Sequence, residues 1–142
     1  MVESSDRSKP HATSRRRQVL LVEDEPMVRT VWLRIARPLG VELLVVETVE
    51  QARTLLETEC PDLVVCDWHL GPGRTSEQLI HDLANGDIPL IVTSGDPRAL
   101  DRLRSSYAVL AKPSHVAEVE AVLLGHPRPA SGEAVLALRR RV

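Results

Sequence analysis

The sequence has few cysteines. Cys60 and Cys66 are the only two in 142 residues. Their number and spacing fit neither a zinc site nor a disulfide framework. Because no export signal precedes them, both thiols are expected to be reduced, and redox chemistry is not expected of this protein.

Long hydrophobic runs are also missing. No apolar stretch approaches the roughly 18 to 20 residues that a transmembrane helix needs. The N-terminus, residues 1–17, is polar with mixed charge and lacks the apolar centre of a signal peptide. These absences predict a cytoplasmic protein that does not enter the membrane.

The part of the chain expected to fold also lacks a net positive charge. The formal net charge is −2, and residues 18–124 contain nine basic and seventeen acidic side chains. The basic side chains are enriched in residues 1–17 and 125–142. An acidic body argues against a nucleic-acid-binding globule, since phosphate contacts need a positive face. Acidic clusters more often attract cations.

What is present is the composition of one folded domain. Hydrophobic residues make up 43% and charged residues 27% of the chain, which is enough apolar material for a core under a wetted surface. We interpret residues 1–17 as a flexible basic leader and residues 18–124 as the domain. Residues 125–142 are interpreted as a linker with a possible short helix at Glu133–Arg141. A separate DNA-binding domain is not expected in that space.

Short apolar runs alternate with amphipathic segments five times along the domain. The runs predict strands at Val19–Val22, Leu43–Val46, Leu63–Cys66, Ile88–Thr93 and Tyr107–Leu110. The amphipathic segments predict helices at Pro26–Leu39, Thr48–Glu57, Ser76–Ala84, Asp96–Arg104 and Ser114–Leu124. Strands that each precede a helix favour an α/β fold, a doubly wound five-stranded parallel sheet flanked by five helices.

Polar side chains follow several of the predicted strands. Glu23 and Asp24 end the first strand, Asp67 the third, Ser94 the fourth and Lys112 the fifth. In an open parallel sheet the carboxyl ends of the strands share one edge, where ligands bind. Carboxylates held close together repel one another and need a compensating cation. Hard oxygen ligands suit Mg²⁺, so this edge is predicted to bind Mg²⁺ and to support phosphoryl transfer.

Four motifs resemble the receiver domain of two-component response regulators. They are Val19–Pro26, Pro61–Leu70, Ile88–Asp96 and Val109–Pro113. Each motif alone is weak, but their joint order and their placement at strand ends are specific. The resemblance covers about residues 18–124 and implies a flavodoxin-like receiver fold.

The resemblance also implies a role for each site residue. Asp67 would be the phosphoacceptor, assisted by Ser94 at the hydroxyl position and by Lys112. Mg²⁺ would be held by Glu23, Asp24, Asp67 and the backbone carbonyl of His69. A departure from the usual pattern lies three residues before the lysine, where receivers commonly carry an aromatic side chain and this sequence has Val109.

The leading hypothesis is therefore a single-domain response regulator. It would take a phosphoryl group from a histidine kinase or a histidine phosphotransfer protein and signal to an unknown downstream protein, or through a homodimer, by altered contacts. Such a protein assists its own phosphorylation and dephosphorylation but is not an enzyme. Two alternatives stay open. A haloacid-dehalogenase-like aspartyl phosphatase would need a second acid two residues after Asp67, where His69 stands, and a pseudo-receiver would bind a partner without phosphorylation.

Overall fold

The computed structural model describes residues 15–126, which form one α/β unit. The strands are β1 (Gln18–Val22), β2 (Glu42–Val46), β3 (Leu63–Asp67), β4 (Leu90–Ser94) and β5 (Ala108–Ala111). The helices are α1 (Pro26–Leu39), α2 (Val49–Leu56), α3 (Glu77–Ala84), α4 (Pro97–Leu103) and α5 (Val116–Leu124). All paired strands are parallel, in the order β2-β1-β3-β4-β5. The predicted fold class is confirmed.

The three central strands are buried on both faces, which explains why they appear in the sequence as unbroken apolar runs. Alternate residues of each strand enter one of two hydrophobic clusters. One cluster lies under α1 and α5 and includes Leu21 and Val65; the other lies under α2, α3 and α4 and includes Leu20 and Val64. This division of the strand faces decides which strand-end side chains can meet.

Local sequence signals set most of the helix ends. Pro26 opens α1, and Gly40 closes it in the left-handed conformation at φ 72°. The Thr48 hydroxyl caps α2 by accepting a hydrogen bond from the Gln51 backbone N–H at 3.1 Å. Asp96 caps α4 by accepting from the Arg98 backbone N–H at 3.0 Å.

Several element boundaries differ from the prediction by one or two residues, and two of these differences have a local cause. Strand β4 begins at Leu90 rather than Ile88, because Pro89 lacks the N–H that a strand donates to its neighbour. Helix α5 is preceded by His115, whose backbone N–H donates to the Glu118 carboxylate at 2.9 Å. Ser114, where the helix was predicted to begin, instead donates its hydroxyl to the Ala111 carbonyl at 2.8 Å.

The end of the predicted basic leader contacts the domain. Arg15 forms an ion pair with Asp62 at 2.9 Å, and Arg17 donates to the Leu123 carbonyl at 2.7 Å, near the end of α5. The rest of the leader and the possible helix at Glu133–Arg141 lie outside the described residues. Among the described helices, none is long and apolar enough to cross a bilayer.

Candidate functional site

The candidate site is an open cleft of about 650 Å³ at the carboxyl edge of the sheet. The loops that follow β1, β3, β4 and β5 line it. The neighbouring order β1-β3-β4-β5 brings these four loops side by side, although their residues are up to about 90 positions apart in the chain. Tertiary structure thus assembles the cleft that the strand ends predicted.

Lys112 is the centre of this cleft. Its Nζ atom lies 3.1 Å from Oε1 of Glu23 and 3.1 Å from Oδ2 of Asp67. Both carboxylates are almost completely buried, with 1% and 4% of the residue exposed. Buried charges persist in proteins when they are paired and hydrogen-bonded, so the ammonium group is what allows two carboxylates to share this interior position.

Asp24 completes a group of three acidic side chains. One carboxylate oxygen from each of Glu23, Asp24 and Asp67 lies within 4.8 Å of the others. Asp24 is half-buried and lines the cleft, whereas Glu23 lies beneath it. The donor set consists entirely of hard oxygen atoms open to water on one side, which fits Mg²⁺, an ion that keeps several waters when bound.

Burial controls the electrostatics of the group. It raises the pKa of Glu23 to about 7, with repulsion from Asp67 adding to the rise and attraction to Lys112 opposing it. Burial likewise raises the pKa of Asp67, although Lys112 opposes that shift. For Lys112, burial alone would lower the pKa, but the two carboxylates outweigh it and the pKa is raised. The lysine is therefore charged at neutral pH.

Ser94 does not face this cleft. Its side chain is fully buried, and its hydroxyl accepts a hydrogen bond from the Asp96 backbone N–H at 3.0 Å. Residues of β4 alternate between the two clusters, and Val92 places Ser94 on the face covered by α2, α3 and α4. The hydroxyl role predicted for Ser94 is therefore not supported by its position.

Thr93, rather than Ser94, lies on the same face of the sheet as Asp67. It is the register partner of Asp67, and paired residues of parallel strands point to the same face. Alternation along β4 does indicate that Thr93 and Ser94 point in opposite directions. Which of them lies on the face of Asp67 depends on the register between β3 and β4, which the sequence does not show.

The loop after Asp67 is held at its base by Ser76. The Ser76 hydroxyl donates to the Asp67 carbonyl at 2.6 Å, and its backbone N–H donates to the Trp68 carbonyl at 2.9 Å. Between them, His69 pairs with Thr75 in an antiparallel bridge and lines the cleft. The predicted metal position at the His69 backbone thus belongs to a short, closed loop beside Asp67.

Val109 is buried in the cluster under α2, α3 and α4, with 6% of the residue exposed. Tyr107 is half-buried and packs against the same cluster. A small aliphatic side chain at this position cannot rotate between a buried and an exposed aromatic state. Any signal from the cleft must therefore reach the surface through another group.

Comparisons with known proteins place the fold. No protein-family model and no curated protein matches the chain. Among solved structures, the chain is similar to the receiver domain of a sensor histidine kinase from Pseudomonas aeruginosa, with 26% identity and a TM-score of 0.66, over 78% of this chain and 97% of that one. That structure has a magnesium ion coordinated in its active site cleft.

Two further structures show the same likeness. The receiver domain of the PhyR response regulator from Erythrobacter litoralis is 26% identical, with a TM-score of 0.65, over 84% of this chain and 98% of that one. A response regulator receiver protein from Burkholderia phymatum is 22% identical, with a TM-score of 0.67, over 80% and 99%. The described residues thus have the receiver fold that the motifs predicted.

Proposed function

We propose that this receiver-like domain accepts a phosphoryl group on Asp67 in the presence of Mg²⁺. The donor would be a histidine kinase or a histidine phosphotransfer protein, and the output a changed contact with another protein. The observation that supports this most directly is the position of Lys112, whose ammonium group lies 3.1 Å from carboxylate oxygens of both Asp67 and Glu23. An anionic phosphoryl group on Asp67 would lie next to this ammonium group.

The transfer step requires few groups. An Asp67 carboxylate oxygen attacks phosphorus, and the bond from phosphorus to the donor's imidazole nitrogen breaks in line with it. The electron pair stays on the leaving imidazole, and Asp67 becomes an acyl phosphate. Water later attacks the same phosphorus and releases inorganic phosphate and the free carboxylate. Because the chemistry is mostly positioning and charge stabilisation, the surrounding groups matter more than an additional base.

Two groups would stabilise the transferred phosphoryl oxygens, and a third residue would leave room for them. Lys112 supplies a charge, the Thr93 hydroxyl lies on the face of Asp67, and Gly95 lines the cleft without a side chain. A Cβ atom at position 95 would lie 3.8 Å from the backbone oxygen of Lys112 and 3.9 Å from its Cβ atom, so the backbone at Gly95 passes close to the lysine. We assign the hydroxyl role to Thr93 in place of Ser94.

Mg²⁺ fits the carboxylates of Glu23, Asp24 and Asp67. When bound, the ion would neutralise charge on the phosphoryl group and offset the repulsion among the three acids. Asp24 is the most accessible of them, and Glu23 is held by its contact with Lys112. The backbone carbonyl of His69, on the adjoining loop, is proposed as a further ligand.

Labelling with acetyl phosphate and Mg²⁺ tests the assignment. The wild type is expected to gain one acid-labile phosphoryl group by intact mass, and Asp67→Asn to gain none. Asp87→Asn is the matched control, because Asp87 is exposed in the loop before β4 and should be labelled like the wild type. Full labelling of Asp67→Asn would disprove the assignment. Continuous release of phosphate from many substrates would favour the phosphatase alternative. If the wild type is not labelled at all, the pseudo-receiver alternative is favoured.

A further inference from the structure

A third carboxylate, beside those of Glu23 and Asp67, contacts Lys112. Glu25 lies 3.4 Å from Nζ of Lys112 through its Oε1 atom, on the solvent side of the cleft. Its side chain is 61% exposed, in contrast to those of Glu23 and Asp67. The Glu25 backbone N–H donates to Glu23 at 3.2 Å, so the residue is fixed beside the buried acid while its own carboxylate reaches the cleft mouth.

We propose that Glu25 is a positioning and specificity residue for phosphoryl transfer. Before the phosphoryl group arrives, Glu25 contacts the Lys112 ammonium group together with Glu23 and Asp67. Its charge also weakens the binding of small phosphodonors, and the more negative the donor, the larger this effect. The inference rests on the proposed function, because it concerns access of a phosphodonor to Asp67. The metal ligands proposed above do not include this residue.

The charge of the cleft supports the proposal. Within residues 15–126, Lys112 is the only lysine or arginine that lines the cleft, whereas Asp24, Glu25, Asp67 and Asp96 all line it. A cleft with more acidic than basic side chains repels an incoming anionic ligand and lowers its local concentration. Since Glu25 is at the mouth, its charge acts on the donor during approach.

The Lys112 contacts explain the positioning role. An ammonium group has three N–H donors, and here three carboxylates surround it. A phosphoryl oxygen must take one of these places. The contact with Glu25 is the longest and the most exposed of the three, so solvent screening makes it the weakest. Glu25 is therefore the partner that Lys112 can release with the smallest loss of interaction energy.

Kinetics with two donors test the proposal. Phosphorylation rates of the wild type and Glu25→Gln would be measured against the concentration of acetyl phosphate, a dianion at neutral pH, and of phosphoramidate, which carries less negative charge. We expect Glu25→Gln to lower the half-saturating acetyl phosphate concentration about threefold, and the phosphoramidate value less, because like-charge repulsion scales with donor charge. The acetyl phosphate effect should shrink in high salt.

Two control variants separate charge from structure. Glu57→Gln removes the same charge from an exposed residue beyond α2, away from the cleft, and should behave like the wild type. Glu25→Asp keeps the charge and should retain the weak response to acetyl phosphate. All variants should melt at the wild-type temperature, because the Glu25 contact is exposed.

Specific outcomes would overturn the proposal. Equal kinetics for Glu25→Gln and Glu57→Gln would do so, as would an equal gain with both donors that salt does not change. Failure of the wild type to be labelled by either donor would instead overturn the proposed function, and this inference with it. Labelling of the wild type without a difference at Glu25 would leave the proposed function intact and disprove only the role of Glu25.

Discussion

At the scale of single residues, the site is an arrangement of acids around one lysine. Glu23 and Asp67 are buried next to each other, an arrangement that repulsion would otherwise prevent. Lys112 compensates them from the end of β5, far away in the sequence. The buried carboxylates keep raised pKa values even so, which shows that the lysine only partly offsets burial.

This imbalance predicts a pH dependence of stability. Burial raises the pKa of Glu23 from 4.5 to about 7, so between these values the folded protein retains a proton that the unfolded chain has lost. Raising the pH through this window therefore lowers the free energy of unfolding in metal-free buffer with a chelator. Urea unfolding at a series of pH values measures the slope.

Substitution identifies the group responsible. Glu23→Gln should flatten the slope, although not abolish it, because the pKa of Asp67 is also raised by burial. Glu57→Gln, at an exposed position, should leave the slope unchanged. An identical slope in wild type and Glu23→Gln would show that Glu23 is not the titrating group.

At the scale of elements, hydrogen bonds from the next helix fix the ends of the strands. Ser76, just before α3, is buried and bonds to the carbonyl of Asp67 at the end of β3. Ser94, at the end of β4, bonds to the Asp96 backbone just before α4. The loops after β3 and β4 are thus tied to the start of the following helix, so a change in the cleft can move a helix.

Ser76→Ala should loosen the loop that carries His69. Removing the hydroxyl leaves the buried Asp67 carbonyl without this donor, which should cost about 1–3 kcal/mol of unfolding free energy. Ser114→Ala is the matched control, since the Ser114 hydroxyl also donates to a carbonyl but at an exposed position, and it should cost less. Chemical denaturation compares the two. Equal losses would mean that burial of the Ser76 bond has no energetic importance.

Helix α4 should respond to occupation of the cleft. Gly95 and Asp96 line the cleft, and Asp96 caps α4, so a ligand on Asp67 is expected to shift the helix as a unit. Hydrogen exchange with and without a beryllofluoride mimic should change over residues 97–110. Because Val109 is small and buried, no aromatic rotation is expected to carry the signal. Unchanged exchange there, with changes elsewhere, would place the output on another face.

At the scale of the whole molecule, one sheet with a core on each face holds the site. Alternate strand residues supply the two clusters, and the strand ends beyond them supply the acids. The chain also closes on itself at the other edge, where Arg17 before β1 bonds to the Leu123 carbonyl near the end of α5. The cleft is therefore built on the ends of the strands that form the core, and binding in it should stabilise the folded state.

Magnesium should accordingly raise the melting temperature. A ligand that binds only the folded state adds about 2.7 kcal/mol at a concentration one hundred times its dissociation constant. Asp24→Asn should weaken that gain and phosphorylation together, while in metal-free buffer its melting temperature should be unchanged or higher, because repulsion among the acids is reduced. Thermal melts with and without Mg²⁺ measure both effects. A variant that melts lower without metal and gains normally from Mg²⁺ would show that Asp24 is structural.

The sequence by itself determined the elements and their order. Apolar runs and cap residues such as Thr48 and Asp96 act locally, over a few positions, and so five strands and five helices were predictable from the chain. It also indicated that acids and a lysine would gather at one sheet edge, since parallel strands bring their carboxyl ends together.

Only the tertiary structure decided which of those side chains meet. Strand order and register are set by packing between distant segments, and they pair Asp67 with Thr93 and turn Ser94 to the opposite face. The same packing places Lys112 between two buried carboxylates and leaves Glu25 at the mouth. A side chain's face follows from alternation along its own strand, but its partners depend on a neighbour that local sequence does not specify.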